Sequence, residues 1–314
     1  MREKYLLSIV IPMYCEEEVA EECYQRITKV MKDNGYCYEL LFINDGSKDN
    51  TINILRALAT RDEKVKVVNF SRNFGHQTAV TCGIDLALGD AIVLIDADLQ
   101  DPPEQIKNMV DLWHQGYDVV YGKRKKRNGE TIFKRFTAKC FYRVLAYMSD
   151  VDIPINTGDF RLIDKRVATA FSAMPERNRF VRGMIAWLGY NQTHIEYERD
   201  ERFAGKTKYP LKKMLKFAGD GIISFSSKPL KLMSTIGFLT IILAFIILIY
   251  SIVQKISGGS TSSGWASLMV AITFFSGVQL FSIGILGEYI ARIYDESKNR
   301  PLYIIKDKYN FMIE

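Results

Sequence analysis

Two stretches of this chain, Met233–Val253 and Trp265–Gly287, contain no charged residue. Each is long enough to cross a hydrocarbon core of about 30 Å as a helix. A Gly/Ser-rich linker with one lysine, Gln254–Gly264, separates them. Lys228 and Lys231 precede the first run, and Arg292, Lys298 and Arg300 follow the second. Basic residues collect on the cytoplasmic side of such spans, so both outer flanks are expected in the cytoplasm and the linker outside. This predicts a multi-pass membrane protein, with spans at 233–253 and 265–287 inside a membrane region 229–314 that ends in a cytoplasmic tail. The runs carry no intramembrane charge of the kind that lines a transport pathway, so anchoring is their expected role.

Residues 1–228 read as a cytoplasmic domain. Met1–Tyr5 is short, charged and followed at once by a strand pattern, so no cleaved signal segment is expected. Leu6–Pro12, Tyr38–Asn44, Val65–Phe70, Ala91–Ile95 and Val119–Gly122 are short apolar runs that predict buried strands. Between them, 16–31, 49–59, 77–88 and 102–115 have helical spacing. Strands alternating with helices predict βαβ units and an open, mostly parallel α/β sheet with flanking helices. Ligands on such sheets bind beyond the carboxyl ends of the strands. Tyr14, Asp45, Arg72 and Asp96 each fall just after a predicted strand. Four polar groups at one sheet edge are the first functional signal.

Two segments, about 132–148 and 211–224, mix lysine and arginine with aromatic and aliphatic residues. They predict basic amphipathic helices lying at an anionic membrane surface. The net charge of +6 is modest, and no aromatic-studded basic platform for nucleic acid is present. Five cysteines without CxxC spacing and three histidines argue against a zinc site or a disulfide framework. No GxGxxG run exists, which argues against a dinucleotide-dependent oxidoreductase.

Asp96-Ala97-Asp98 places two carboxylates one residue apart at the end of a buried strand. They could share a hard cation such as Mg2+ or Mn2+ with phosphate oxygens, and Gln100 could add an amide oxygen. Alone, an Asp-x-Asp pair is equally well a surface turn. Its company changes that. The run from Ser8 to Glu17 resembles the opening strand of glycosyltransferase family 2. Asn44–Thr51, Ser71–Gly75 and Asp96–Gln100 resemble that family's next signatures in order, and Asn156–Arg161 its acceptor-side motif. Arg202–Tyr209 and the two spans resemble the membrane-anchored polyprenyl-phosphate branch. Three positions depart from the family pattern: Cys15, Asn44 and Thr207 stand where Asn, Asp and Ser are more usual.

The resemblance implies a GT-A type fold and inverting transfer of a sugar to polyprenyl (undecaprenyl) phosphate, glucose from UDP-glucose being the first expectation and UDP-GlcNAc or another sugar the alternative. It implies that Pro12, Tyr14, Glu16, Asp45, Arg72, Asp96 and Ala97 line the donor pocket, with Asp45 on a uracil base. Asp96, Asp98 and Gln100 would hold the metal. Asp159, Asp98 and Arg202 would be catalytic, and Arg202 and Lys208 would neutralise the acceptor phosphate. The resemblance also implies membrane lipids and further copies of the chain as partners, and it makes Asp159 a general base. A phosphate monoester has its second pKa near ~6 and hardly needs deprotonating, so the alternatives for Asp159 are to orient the acceptor, position the sugar or bind the last proton. Two other readings compete. A processive polysaccharide synthase is disfavoured because no Arg-Trp pair occurs in the chain. A non-catalytic scaffold is disfavoured by the intact Asp96, Asp98 and Asp159 set.

Overall fold

The computed structural model describes residues 5–125, 157–200, 228–257 and 264–311. These fall into two compact units: 5–125, 157–200 and 300–311 form one, and 228–257 with 264–299 form the other. The expected amphipathic helices at 132–148 and 211–224, and residues Arg202 and Lys208, lie outside the described residues.

The first unit is built on an eight-stranded sheet in the order β7-β5-β6-β4-β1-β2-β3-β8. Its strands are β1 (Leu6–Met13), β2 (Cys37–Asn44), β3 (Val65–Phe70), β4 (Ala91–Leu94), β5 (Val119–Arg124), β6 (Thr157–Asp164), β7 (Gln192–Tyr197) and β8 (Ile305–Tyr309). The helices are α1 (Ala20–Asp33), α2 (Thr51–Arg61), α3 (His76–Leu86), α4 (Ile106–His114), α5 (Lys165–Ser172) and α6 (Val181–Trp187), with a 3-10 turn at Pro103–Gln105. Every strand and helix expected between residues 6 and 122 is present, displaced by a few residues at the ends. Strand β1 is the centre. Ile9, Ile11, Leu40, Phe42, Val67 and Val93 are fully buried within one core cluster. Each such side chain contributes about 1.5–3 kcal/mol relative to exposure. Helix α3 lies so close to β1 that a Cβ on Gly83 would sit 2.1 Å from Val10 Cγ1.

Strand order reverses at β1. The chain runs from β1 to β2 and β3 on one side, then crosses to β4 on the other, all in parallel. The crevice beyond the ends of β1 and β4 is therefore a topological switch point, the place where such sheets bind ligands. Pairing of β1 with β4 stops at Val10 and Leu94, whereas pairing with β2 continues to Met13 and Asn44. Pro12 sits on this half-paired stretch, where a missing N–H is tolerated.

Three strands were not expected from the sequence. β6 runs antiparallel between β4 and β5, and β7 is parallel to β5. β8, from the segment expected as a tail beside the spans, returns to the catalytic unit and pairs antiparallel with β3. β6 hides in the sequence because charged residues alternate with apolar ones along it, and β8 because Lys306, Asp307 and Lys308 form a charged run.

The second unit contains α7 (Lys228–Ile256) and α8 (Trp265–Ser297), of 29 and 33 residues, both with runs long and apolar enough to cross a membrane. Ser282 Oγ lies 3.5 Å from Met233 Sδ, so the two helices meet side by side. At 1.5 Å per residue α8 is about 50 Å long, and its charged last turns extend beyond the apolar run.

One buried carboxylate ties β6 to its helices. Asp164 caps α5 by accepting from the Arg166 N–H at 2.9 Å, and it also accepts from Trp113 Nε1 at 2.8 Å. Burial alone would raise its pKa, but these bonds and the Arg166 guanidinium hold it below the usual carboxylate value. Its stabilisation is complete above the unfolded value of about 4 and is lost as pH falls through the lowered native value. D164A is expected to destabilise this unit by about 1–3 kcal/mol at pH 7 through the lost cap and the lost hydrogen bond from Trp113. The deficit should shrink as pH is lowered toward 3, which thermal melting of the purified protein across pH measures.

Candidate active site

Four loops follow the parallel strands to one edge, and side chains stitch them together. After β1, the N–H groups of Cys15, Glu16 and Glu17 donate to Ser47 Oγ (2.9 Å), Thr51 Oγ1 (3.0 Å) and Asp49 Oδ2 (3.3 Å). In return Glu17 Oε2 accepts from the Asn50 N–H at 2.8 Å. Tyr14, the last residue before this stitching, is exposed at the mouth of the crevice. Asp45 is buried, and its two oxygens accept from the N–H groups of Phe74 (2.6 Å) and Gly75 (3.0 Å). Burial raises its pKa and those two bonds oppose the rise. Asp45 thus shapes the loop that carries Arg72, whose guanidinium lies 4.5 Å over the Phe74 ring. Gly46 makes this close approach possible. Its φ is +61°, and a Cβ there would stand 2.4 Å from the Arg72 backbone.

Asp96, Ala97 and Asp98 follow β4. Asp96 and Asp98 are half-buried, while Ala97 and Gln100 are buried. Leu99 takes a left-handed conformation, φ 55°, and the Gln100 N–H donates to Asp98 Oδ1 at 3.2 Å. Gln100 Nε2 reaches the Asp200 carbonyl at 3.5 Å, which joins the metal-motif turn to the segment after β7.

Because β6 is antiparallel to β4, its first residues arrive at the edge where β4 ends, with Leu94 opposite Arg161. This brings Asp159 beside Asp96. Asp159 is buried and is held from three directions. Arg182 on α6 donates to both oxygens, through Nε at 2.7 Å and a terminal nitrogen at 3.3 Å. His76 Nε2, in the first turn of α3, lies 3.1 Å from Asp159 Oδ2 and 3.6 Å from Asp96 Oδ1. Gln77 Nε2 donates to the same Asp159 oxygen at 3.4 Å, and its Oε1 accepts from the Val181 N–H at 2.9 Å.

The electrostatics follow from this placement. Burial alone would raise Asp159, but the Arg182 guanidinium and the His76 ring outweigh it and hold the carboxyl well below its usual range. Burial would lower His76, but its hydrogen bond to Asp159 and the charge of Asp96 carry it up to about 9. Burial pushes Asp96 up to about 6. His76 opposes that rise, while the Asp159, Asp101 and Asp98 charges add to it.

Next to this group, fully buried Asp101 accepts from Tyr197 Oη (2.5 Å) and faces Arg124 (3.4 Å) and Arg199 (3.7 Å). Among the described residues no three His, Cys, Asp or Glu side chains converge as a protein-only metal cage. Asp96 and Asp98 alone suit a hard cation that completes its shell with phosphate oxygens and water. The carboxylate crowding that raises Asp96 is relieved by such a charge.

The structure therefore gathers Pro12, Tyr14, Glu16, Asp45, Arg72, Asp96, Ala97, Asp98, Gln100 and Asp159 along one edge. Sequence reasoning passed over His76, Gln77, Asp101, Arg124 and Arg182. His76 was within reach, since it directly follows the Ser71–Gly75 run at the same edge. Arg182 was not, because a lone arginine on a short helix far along the chain carries no pattern.

A mostly parallel sheet with a switch-point crevice, a strand-end Asp-x-Asp pair and an antiparallel neighbour bearing a third carboxylate defines a GT-A type glycosyltransferase. Residues 8–171 match the glycosyl transferase family 2, and residues 228–293 match the GtrB C-terminal hairpin. The chain is 55 % identical over 302 residues, 96 % of its length and 94 % of the relative, to an uncharacterized glycosyltransferase, YkcC, of Bacillus subtilis (strain 168). It is 43 % identical over 300 residues, 96 % of its length and 98 % of the relative, to a prophage bactoprenol glucosyl transferase homolog of Escherichia coli (strain K12). Among solved structures, mannosyl-3-phosphoglycerate synthase from Rubrobacter xylanophilus matches with a TM-score of 0.50 at 15 % identity, covering 69 % of this chain and 71 % of that one. The protein belongs to glycosyltransferase family 2 and is a glycosyltransferase with a C-terminal apolar hairpin.

Removing Arg182 leaves a buried carboxylate without its main counter-charge, a change that costs about 3–5 kcal/mol in comparable buried pairs. R182A is expected to lower the melting temperature and to cut activity by about 100-fold or more, the scale of a misplaced catalytic group. R182K, which keeps the charge but not the two-pronged geometry, should fall between. Unchanged turnover in R182A would show that β6 alone places Asp159.

Proposed function

We propose that this enzyme transfers glucose from UDP-glucose to undecaprenyl phosphate, with inversion, at the cytoplasmic face of the bacterial inner membrane. The observation that carries the reading is the pairing of the Asp96–Asp98 edge and the clamped Asp159 with an apolar hairpin on one chain. Bactoprenol glucosyl transferases among the relatives, such as that of Shigella phage SfV at 42 % identity, support the lipid acceptor and the sugar. Chain connectivity supports the topology. The chain enters the hairpin after the catalytic unit and returns to that unit at β8, as two spans with both ends on one face require.

In this reading the uridine lies in the crevice beyond β1. Pro12, Tyr14 and Glu16 form one wall. Asp45 secures the opposite loop and meets the base with the lone pairs its two amide bonds leave, and Arg72 and Ala97 complete the donor side. Asp96, Asp98 and Gln100 would hold Mg2+ or Mn2+, which supplies positive charge against the departing diphosphate. An oxygen of the lipid phosphate attacks C1 of glucose from the face opposite the diphosphate. The new C1–O bond forms as the bond to UDP breaks, and one displacement inverts C1. Arg202 and Lys208 are assigned to the acceptor phosphate.

The state of Asp159 bears on its role. A carboxylate held well below the usual range is a poor proton acceptor, and the attacking phosphate is already largely ionised above about pH 6. Asp159 acts here by orienting the acceptor, together with His76 and Arg182, rather than as the base.

The test is purified full-length protein in nanodiscs with undecaprenyl phosphate, a panel of UDP-sugars, and either metal. UDP release is expected only with UDP-glucose and is expected to stop with a chelator. D98N should lose about 10²–10³-fold in kcat, the scale of one electrostatic stabiliser of a leaving charge. D159N should lose most activity while keeping the shape of the pH–rate profile. Turnover of a different UDP-sugar alone would overturn the glucose assignment. A carboxylate limb present in the unaltered enzyme and missing from D159N would restore the base role.

A further inference from the structure

A single line of side-chain hydrogen bonds crosses four adjacent strands, from the last strand of the sheet to the loop after the first. Asp307 on β8 accepts from Asn69 Nδ2 at 3.0 Å. Asn69 Oδ1 accepts from Asn44 Nδ2 at 2.8 Å. Asn44 Oδ1 accepts from Ser47 Oγ at 2.5 Å, and Ser47 Oγ accepts from the Cys15 N–H at 2.9 Å. The strand register sets these contacts up, because Met13 lies opposite Asn44, Asn44 opposite Asn69, and Asn69 opposite Asp307. Asn44 and Asn69 are both buried.

This line has a direction. A carboxylate only accepts, so Asn69 must turn its amide nitrogen toward Asp307 and its oxygen toward Asn44. Asn44 must then donate to Asn69, which leaves its own oxygen for the Ser47 hydroxyl. Ser47, having given its proton away, accepts from Cys15. An aspartate at 44 has no proton to offer Asn69, which accounts for asparagine at a position where the family signature usually has aspartate. The far end matters because Cys15 sits in the left-handed region, φ 54°, between Tyr14 and Glu16. A non-glycine residue keeps that conformation only when its surroundings hold it.

We infer that Asp307 and Asn69 are positioning residues for the donor pocket: the last strand fixes the direction of this hydrogen-bond line and thereby the Tyr14–Glu16 loop. The inference rests on the reading of that loop as a donor wall. It assigns to a residue beyond the membrane hairpin an effect on nucleotide binding, with no contact to the nucleotide.

The experiment uses the full-length protein in detergent, with calorimetric titration of UDP in the presence of Mn2+ and steady-state kinetics with UDP-glucose. D307A is expected to weaken UDP binding and raise the donor KM about fivefold, the worth of one net hydrogen bond. The KM for the lipid phosphate should not move. D307N, which still offers an acceptor oxygen, should restore both values. N44D should be worse than D307A. The double variant N44D/D307N reverses the whole line: the amide introduced on β8 donates to Asn69, and Asn69 donates to the carboxylate introduced on β2. It should recover to within about twofold of the unaltered protein. Equal impairment of N44D and N44D/D307N would overturn the inference. So would a D307A protein that melts earlier but binds UDP unchanged. Amide hydrogen exchange at Cys15 reads the line without any donor: it should speed up in D307A and N44D and return in the double variant. If the unaltered protein does not bind UDP, the donor-wall reading fails, and the exchange rates alone decide whether the line holds Cys15.

Discussion

The site depends on where strands end. β1, β2, β3 and β4 run in parallel, so all four release their following loops at the same edge. The crossover from β3 to β4 then opens a crevice beside β1. Parallel strands alone would supply only residues that follow a strand. The antiparallel insertion of β6 supplies residues from a strand's beginning, and it is the reason Asp159 meets Asp96 across a long stretch of chain. Asp96 and Asp159 come together through this one reversal of strand direction.

Bringing carboxylates together in a half-buried crevice is costly, and the structure shows two ways of meeting the cost. Asp159 is neutralised internally, by a two-pronged arginine and a histidine whose proton is retained because two carboxylates face it. Asp96 is left partly uncompensated, with burial and neighbouring charges both raising it. The contrast divides the labour. Asp159 is already satisfied by the protein, whereas Asp96 is left short of positive charge. Asp101 repeats the first pattern with Tyr197, Arg124 and Arg199, and it holds two guanidinium groups near the same edge.

Most of the sheet was legible in the sequence because β1 to β4 are runs of Ile, Val, Leu and Phe with both faces buried, and such strands cannot be mistaken for surface. The same signal fails for β6. Asp159 and Arg161 alternate there with Phe160 and Leu162, a pattern that reads as half-exposed, yet all four are buried, Asp159 against Arg182 and His76 and Arg161 with a terminal nitrogen on the Gly158 carbonyl. β8 fails for a related reason: Lys306 and Lys308 flank Asp307 and give the segment the look of a solvated tail. The place of Tyr14, Asp45, Arg72 and Asp96 at one edge was legible because each follows a strand by one or two positions. The clamp on Asp159 was largely hidden, since Arg182 reaches it only through the folding of a separate helix onto α3. Arg202 and Lys208 lie outside the described residues, and the acceptor half of the site rests on sequence to that extent.

The return of the chain to β3 after the hairpin also orders the events of biosynthesis. The catalytic sheet cannot be completed from the first 200 residues, because its last strand is made after both apolar helices. Until then β3 presents an unpaired edge, with Asn69 lacking its outer acceptor and the backbone carbonyls of Ala59 and Val65 lacking the Asn310 amide that later caps them. An open strand edge is a hazard in a crowded compartment. It is closed here only by residues that leave the ribosome once the hairpin has been synthesised. The sheet of the first unit is thus closed by the last part of the chain to be made, after both apolar helices.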